Sequence, residues 1–180
     1  MKALRTLVTI ALLLLGGGAS ALALEPGKDG WYNTGEGVRT KAVAIITARV
    51  YAIRHDMKGP LPARNKQAVI DADVDKRFSW YMLRDVEGEK IQKALRDAFA
   101  MNGYGDQAKI GLFVGAFSKE LKEKGSVSIS YSAATKTVSV WVAGGGSASI
   151  AGLDFMKAVW SIWLGKIDQP TLGDALISKM

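Results

Sequence analysis

The sequence predicts an α+β fold built on a mostly antiparallel sheet, and three observations carry that prediction. Strand-like segments come in runs instead of alternating with helices, which argues against a parallel α/β fold. The hydrophobic period is short and β-branched before residue 86, then shifts to helical spacing from Ile91 onward. Strict alternation returns on both sides of Ala134-Thr135 in "SVSISYSAATKTVSVWVAGGG", as two half-buried strands of a hairpin require.

The fold begins after a leader. Lys2 and Arg5 precede an apolar run of nine residues, Leu7 to Leu15, and "ASALA" places small residues at Ala21 and Ala23. This is the pattern of a secretory signal, and the run is too short to cross a bilayer. Residues 1–23 are therefore expected to be a signal peptide, and 24–180 a single exported domain, periplasmic if the source is Gram-negative. The remaining 157 residues suffice for one core.

The elements follow in order. Residues 24–37 read as a polar, glycine-rich lead-in that ends in a turn at "NTGEGVRTK". From Val38 to Met57 the chain is apolar and β-branched without Gly or Pro, so it is one long strand or two joined by a bend. "KGPLPARNK" is a loop. Residues 68–86 give a short strand carrying Asp71 and Asp73 on one solvent-facing side, a turn near Asp75-Lys76, and a second strand with Phe78, Trp80 and Met82 on one face. Ile91, Ala94, Leu95, Ala98 and Phe99 form a helix that stops at Gly103. Asp106 caps a second helix whose stripe runs through Ile110, Phe113, Val114, Phe117 and Leu121. Its Gly111 and Gly115 suggest close packing, and Lys119 to Lys124 a solvated helix face. "GGGSASIAG" is a turn, since no helix opens after its glycines. A last long helix runs from an Asp154 cap to Gly165, with Trp160 and Trp163 exposed, and "TLGDALISK" adds a short one.

Composition narrows the function. Without Lys2 and Arg5 the balance is 22 basic against 17 acidic residues, a net +5 scattered along the chain. Scattered charge of this kind is not a nucleic-acid patch. With no cysteine and one histidine, neither a disulfide framework nor a transition-metal or zinc site is expected, and no cofactor motif is present. His55 reads as a surface or strand-edge residue. One histidine without a G-x-S-x-G elbow also supplies no base for a serine or cysteine nucleophile.

Several stretches, taken in order, resemble the chalcone isomerase-like family: "GEGVR" leading into a strand with "VYAI", "LRDVEGEKIQKAL", and "GLDFMKAVWSIWLG". The resemblance extends from about Gly35 to Leu176. It implies an open-faced β-sandwich, a large antiparallel sheet covered on one side by helices. It also implies either of two activities, cyclisation of a chalcone or binding of a fatty acid in the same cleft. The family's arginine falls on Arg39 and its threonine on Tyr51. Its helical tyrosine, asparagine and threonine fall near Ile91, Ala98 and Ile162. Apolar side chains there cannot order a catalytic water. The expectation is therefore a non-catalytic binder of a fatty acid or similar amphipathic carboxylate, with Arg39 and Tyr51 as ligand-binding residues and Phe99, Phe113 and Phe117 as cover or ordinary core. Two other readings stay open. One is an isomerase or lyase of another substrate, for which Tyr51, Tyr81 or Tyr104 supplies a proton. The other is a structural or interaction domain of the cell envelope.

Overall fold

The computed structural model describes residues 24–43 and 45–180, so the expected signal peptide lies outside the described residues. Among these, six strands form one antiparallel sheet in sequential order: β1 (Trp31–Val43), β2 (Ile46–Lys58), β3 (Lys76–Met82), β4 (Ser126–Ser132), β5 (Thr137–Val142) and β6 (Ser147–Ala151). The apolar members of each strand fall on one face. Phe78 stands opposite Ile129, Ile129 opposite Val140, and Trp80 opposite Val127. The other face is hydroxyl-rich, with Ser79, Ser128, Ser139 and Ser149 beside half-exposed Tyr81 and Trp141.

Helices α1 (Lys66–Asp71), α2 (Gly88–Met101), α3 (Gln107–Gly115), α4 (Leu153–Leu164) and α5 (Pro170–Leu176) cover the apolar face. α4 is buried on nearly all sides, as a central helix must be. Trp160 and Trp163 are therefore core residues, 0% and 1% exposed, and not the surface residues expected. The result is the α+β fold that the sequence predicts, in the open-faced form that the family resemblance implies.

Several local readings are corrected by packing. Gly35 and Gly37 form no turn; they lie inside β1, and the bend in the 38–57 segment comes at Ile45. A Cβ on Gly35 would stand 2.1 Å from the Ala175 carbonyl, and one on Gly37 would stand 2.7 Å from Leu172 Cδ1. These glycines thus let α5 lie directly on the strand. The expected strand at 68–74 is helix α1, because Asn65 caps it by accepting from the N–H groups of Gln67 and Ala68. Asp71 and Asp73 are exposed as expected, on that helix and the loop after it.

Asp106 does cap α3, but the helix ends at Gly115. Leu121 instead pairs its backbone with Val86, so Lys119–Lys124 is no helix face. Gly111 and Gly115 face open space and mediate no packing. The glycine turn after β5 leads into a further strand, β6, that the sequence reading leaves out. Gly152, at φ 129°, caps α4 in place of Asp154, which sits in its first turn and pairs with Lys109.

Candidate functional site

Two clusters stand where β2 faces α4. In the first, His55 is fully buried, which corrects its reading as a surface residue. Its Nε2 accepts from the Trp160 indole at 2.8 Å. The proton of the neutral ring must then sit on Nδ1, which donates to Thr34 Oγ1 at 2.6 Å. The Thr34 hydroxyl in turn donates to the Leu176 carbonyl at 2.9 Å. Every site is filled. Burial, reinforced by the charge of nearby Lys76, pushes the imidazole down to about 3. Lys76 is itself buried and donates to the carbonyls of Val69 (2.8 Å) and Ile70 (3.0 Å) at the end of α1. Its amine lies 4.9 Å from the Trp160 ring centroid. Burial lowers it to about 7, against the opposing pull of Asp71 and Asp73.

The second cluster opens on a cleft of about 820 Å³. Arg39 and Tyr51 are cross-strand neighbours on β1 and β2, and a bulge immediately beyond them leaves Val50 on the cleft wall. Tyr51 stacks flat on Trp80, with centroids 4.4 Å apart, and its oxygen accepts from the Trp163 indole at 3.0 Å. Burial pushes its hydroxyl up to about 12, opposed in part by the Trp163 hydrogen bond and the Arg39 charge. The group therefore stays a phenol, and its proton has no acceptor among the described residues. The indole N–H of Trp80, another wall residue, is also buried without a hydrogen-bond partner among the described residues.

The opposite wall belongs to α2. Ile91, Ala94, Leu95 and Ala98 recur at helical spacing and line the cleft, the two alanines leaving room that larger side chains would fill. Ile162 and Trp163 of α4 also line it. The positions that the family resemblance assigns to Tyr51, Ile91, Ala98 and Ile162 thus all stand on the wall of one cleft with Arg39. Phe99, Phe113 and Phe117 are not its cover. They are fully buried and pack on one another, and Phe99 and Phe113 also pack on Phe155. Of the other tyrosines, Tyr81 points to the open face of the sheet, and Tyr104 donates to Asp154 at 3.0 Å away from the cleft.

Sequence reasoning missed two residues here. Asp168 Oδ1 pairs with Arg39 Nη2 at 2.6 Å, and Lys41 approaches its other oxygen at 3.8 Å. Gln169 accepts from the Thr40 N–H at 2.9 Å and donates to the Val38 carbonyl at 3.0 Å, so one side-chain amide occupies the free edge of β1. Both lie in "KIDQP", the stretch between the last long helix and the short one after it. The carboxylate one residue before a Gln-Pro turn was the available signal. The guanidinium is therefore set up for a carboxylate, and in this structure it holds the protein's own.

The cleft can accept an apolar chain with one acidic or hydrogen-bonding end. Among the described residues no group of three or more His, Asp or Glu side chains is arranged to hold a metal ion. No curated protein matches the sequence. Among solved structures, the fatty-acid binding protein of Arabidopsis thaliana is similar in fold, with a TM-score of 0.65 at 16% identity, over 86% of this chain and 90% of that one. The family model described as chalcone isomerase-like matches residues 32–175, a span that takes in all six strands but for Trp31 at the start of β1, and both walls of the cleft. The chain belongs to the chalcone isomerase-like family.

Proposed function

We propose that the protein binds an amphipathic carboxylate, a fatty acid by class, without transforming it. The observation that carries this reading is the juxtaposition of Arg39 and Tyr51 on the wall of a cleft that also presents the apolar stripe of α2, with charged residues such as Arg84, Lys90 and Lys166 among its lining. A guanidinium and a phenol that keeps its proton offer several donors to one carboxylate. The stripe of α2 gives the hydrocarbon chain an apolar strip to lie on. The cleft volume lies in the range of small-ligand sites, and mostly apolar walls with a few polar anchors are their usual make-up. That the similar Arabidopsis protein is a fatty-acid binder supports the same ligand class.

Asp168 then acts as the stand-in for the ligand. It is half exposed, on the loop between α4 and α5, and can give up the guanidinium to an incoming carboxylate at little cost. Fatty-acid titration of the purified protein and of two variants tests this. Loss of a charged hydrogen bond predicts that Arg39→Ala weakens binding by about ten- to a hundredfold, with Arg39→Lys recovering part. Removing the competitor in Asp168→Asn is expected to tighten it. Unchanged affinity in Arg39→Ala would return the arginine to a purely structural role.

Chalcone cyclisation lies outside this proposal, because Ile91, Ala98 and Ile162 offer nothing to order a water. Turnover of a chalcone at about one per second or faster would overturn it. Export belongs to the same proposal, with cleavage after Ala23. Mass spectrometry of the protein from its own host should find an N-terminus near Leu24, and an intact Met1 would refute it.

A further inference from the structure

β1 and β2 are each 13 residues long, whereas β3 has seven and meets only Tyr51–Met57 of β2. Beyond Arg39 and Val50 the hairpin therefore leaves the sheet as a two-stranded ribbon. Such a ribbon is marginal on its own, and its outer turn is ordinarily polar. Here Ile45 is 99% exposed and Ile46 68% exposed. From Gly37 to His55 there is also no acidic residue, while Arg39, Lys41, Arg49 and Arg54 are basic. Lys41 and Arg49 are both exposed, and their register places them on opposite sides of the ribbon.

The inner end of this ribbon is a wall of the cleft, through Arg39, Lys41, Ala48 and Val50. Half-exposed Met101 of α2 also lines the cleft. One element thus runs from exposed apolar side chains to the ligand site. Two isoleucines at the end of a narrow ribbon are far too little area for a stable protein interface, which buries about 800 Å² per partner. They suit a fluid surface into which a narrow tip can sink.

We infer that the ribbon docks on an anionic lipid bilayer. Ile45 and Ile46 enter the boundary between headgroups and acyl chains, while Lys41 and Arg49 meet the headgroups on either side. Neither contribution alone holds a protein on a membrane, so the attachment is reversible, as exchange of a ligand requires. The exchange rests on the proposed fatty-acid binding; the docking does not.

Flotation with vesicles of phosphatidylglycerol or of phosphatidylcholine tests the inference, using the protein as it accumulates in its host. The wild type is expected to float with the anionic vesicles and to be released by salt. Replacing both isoleucines, Ile45→Ser with Ile46→Ser, should weaken that partition by about tenfold or more. Arg49→Gln should weaken it about fivefold at low salt. Any residue retained from 1–23 is common to all three proteins, so the differences report the ribbon. Equal flotation of the isoleucine variant, or salt-independent flotation with both lipids, overturns the inference. So does a wild-type dimer in light scattering that the isoleucine variant abolishes while flotation stays unchanged. Fatty-acid affinity measured without vesicles should be the same in wild type and isoleucine variant. Its absence from both would sink the cleft reading and leave the flotation result standing.

Discussion

On β2, His55 and Tyr51 lie four residues apart, face α4 from the same side of the sheet, and each accept a hydrogen bond from an indole, Trp160 for one and Trp163 for the other. The two indoles are three residues apart on α4, so one helix and one strand build two versions of the same contact. At His55 every donor and acceptor is matched: Nε2 with Trp160, Nδ1 with Thr34, and Thr34 with the Leu176 carbonyl. At Tyr51 matching stops short. Among the described residues the phenol proton and the Trp80 N–H remain without partners, and Arg39 is held by a half-exposed carboxylate. The lone histidine is the residue a search for chemistry would reach first, yet it is the closed one. Unused hydrogen-bonding capacity beside open volume is a better guide to a site than a titratable ring.

The contrast can be broken most forcefully at Trp160. Trp160→Ala should cost about 3–5 kcal/mol in urea unfolding, because it opens a core cavity and strips His55 of its donor. Fatty-acid affinity of the protein that remains folded should hold. An affinity loss as large as that of Arg39→Ala would mean that the two clusters are one site.

Acid sharpens it next. The His55 ring is held at about 3 in the fold, against an ordinary value of 6.5. The unfolded chain therefore binds the proton that the native protein refuses. Stability is fully present above pH 6.5 and falls towards pH 3, by up to about 1.4 kcal/mol per pH unit. The slope between pH 6 and 5 lies above most carboxylate titration and below that of Lys76, and should be largely lost in His55→Gln. A wild-type curve that is flat across that interval contradicts the closed, neutral ring.

Tyr51→Phe comes third. It leaves the Trp163 N–H unmet, for a loss of about 1 kcal/mol in unfolding experiments, and weakens carboxylate binding about tenfold by removing a donor. The smallest effect belongs to Asp168→Asn. Stability should change by less than about 0.5 kcal/mol, as for other half-exposed ion pairs, while fatty-acid affinity rises. Weaker binding in that variant would make Asp168 part of the site instead of its competitor.

Much of the fold was readable because it rests on local patterns. The alternation of Phe78, Trp80 and Met82, the stripe of α2, the Asp106 cap and the 126–146 hairpin each follow from residues close together in the chain. Arg39 and Tyr51 became candidates through family resemblance, twelve residues apart with nothing local to join them. The hairpin register is what makes them neighbours. The misreadings have two causes, one distant in the chain and one local. Gly35 and Gly37 look like a turn until α5, far along the chain, is seen to need their missing side chains. The segment at 68–74 looks extended until Asn65 caps it as a helix.

By itself the sequence determined the class of the fold, the apolar faces of β3, α2 and the 126–146 hairpin, and the absence of disulfides. These depend on period, caps and composition, which act over a few residues. Tertiary structure alone decided that Trp160 and Trp163 are core, that His55 is neutral and closed, and that Asp168 occupies the guanidinium of Arg39. Each of those outcomes joins residues about a hundred or more positions apart. Burial and hydrogen-bond matching are properties of the packed whole, and no window of sequence contains both partners.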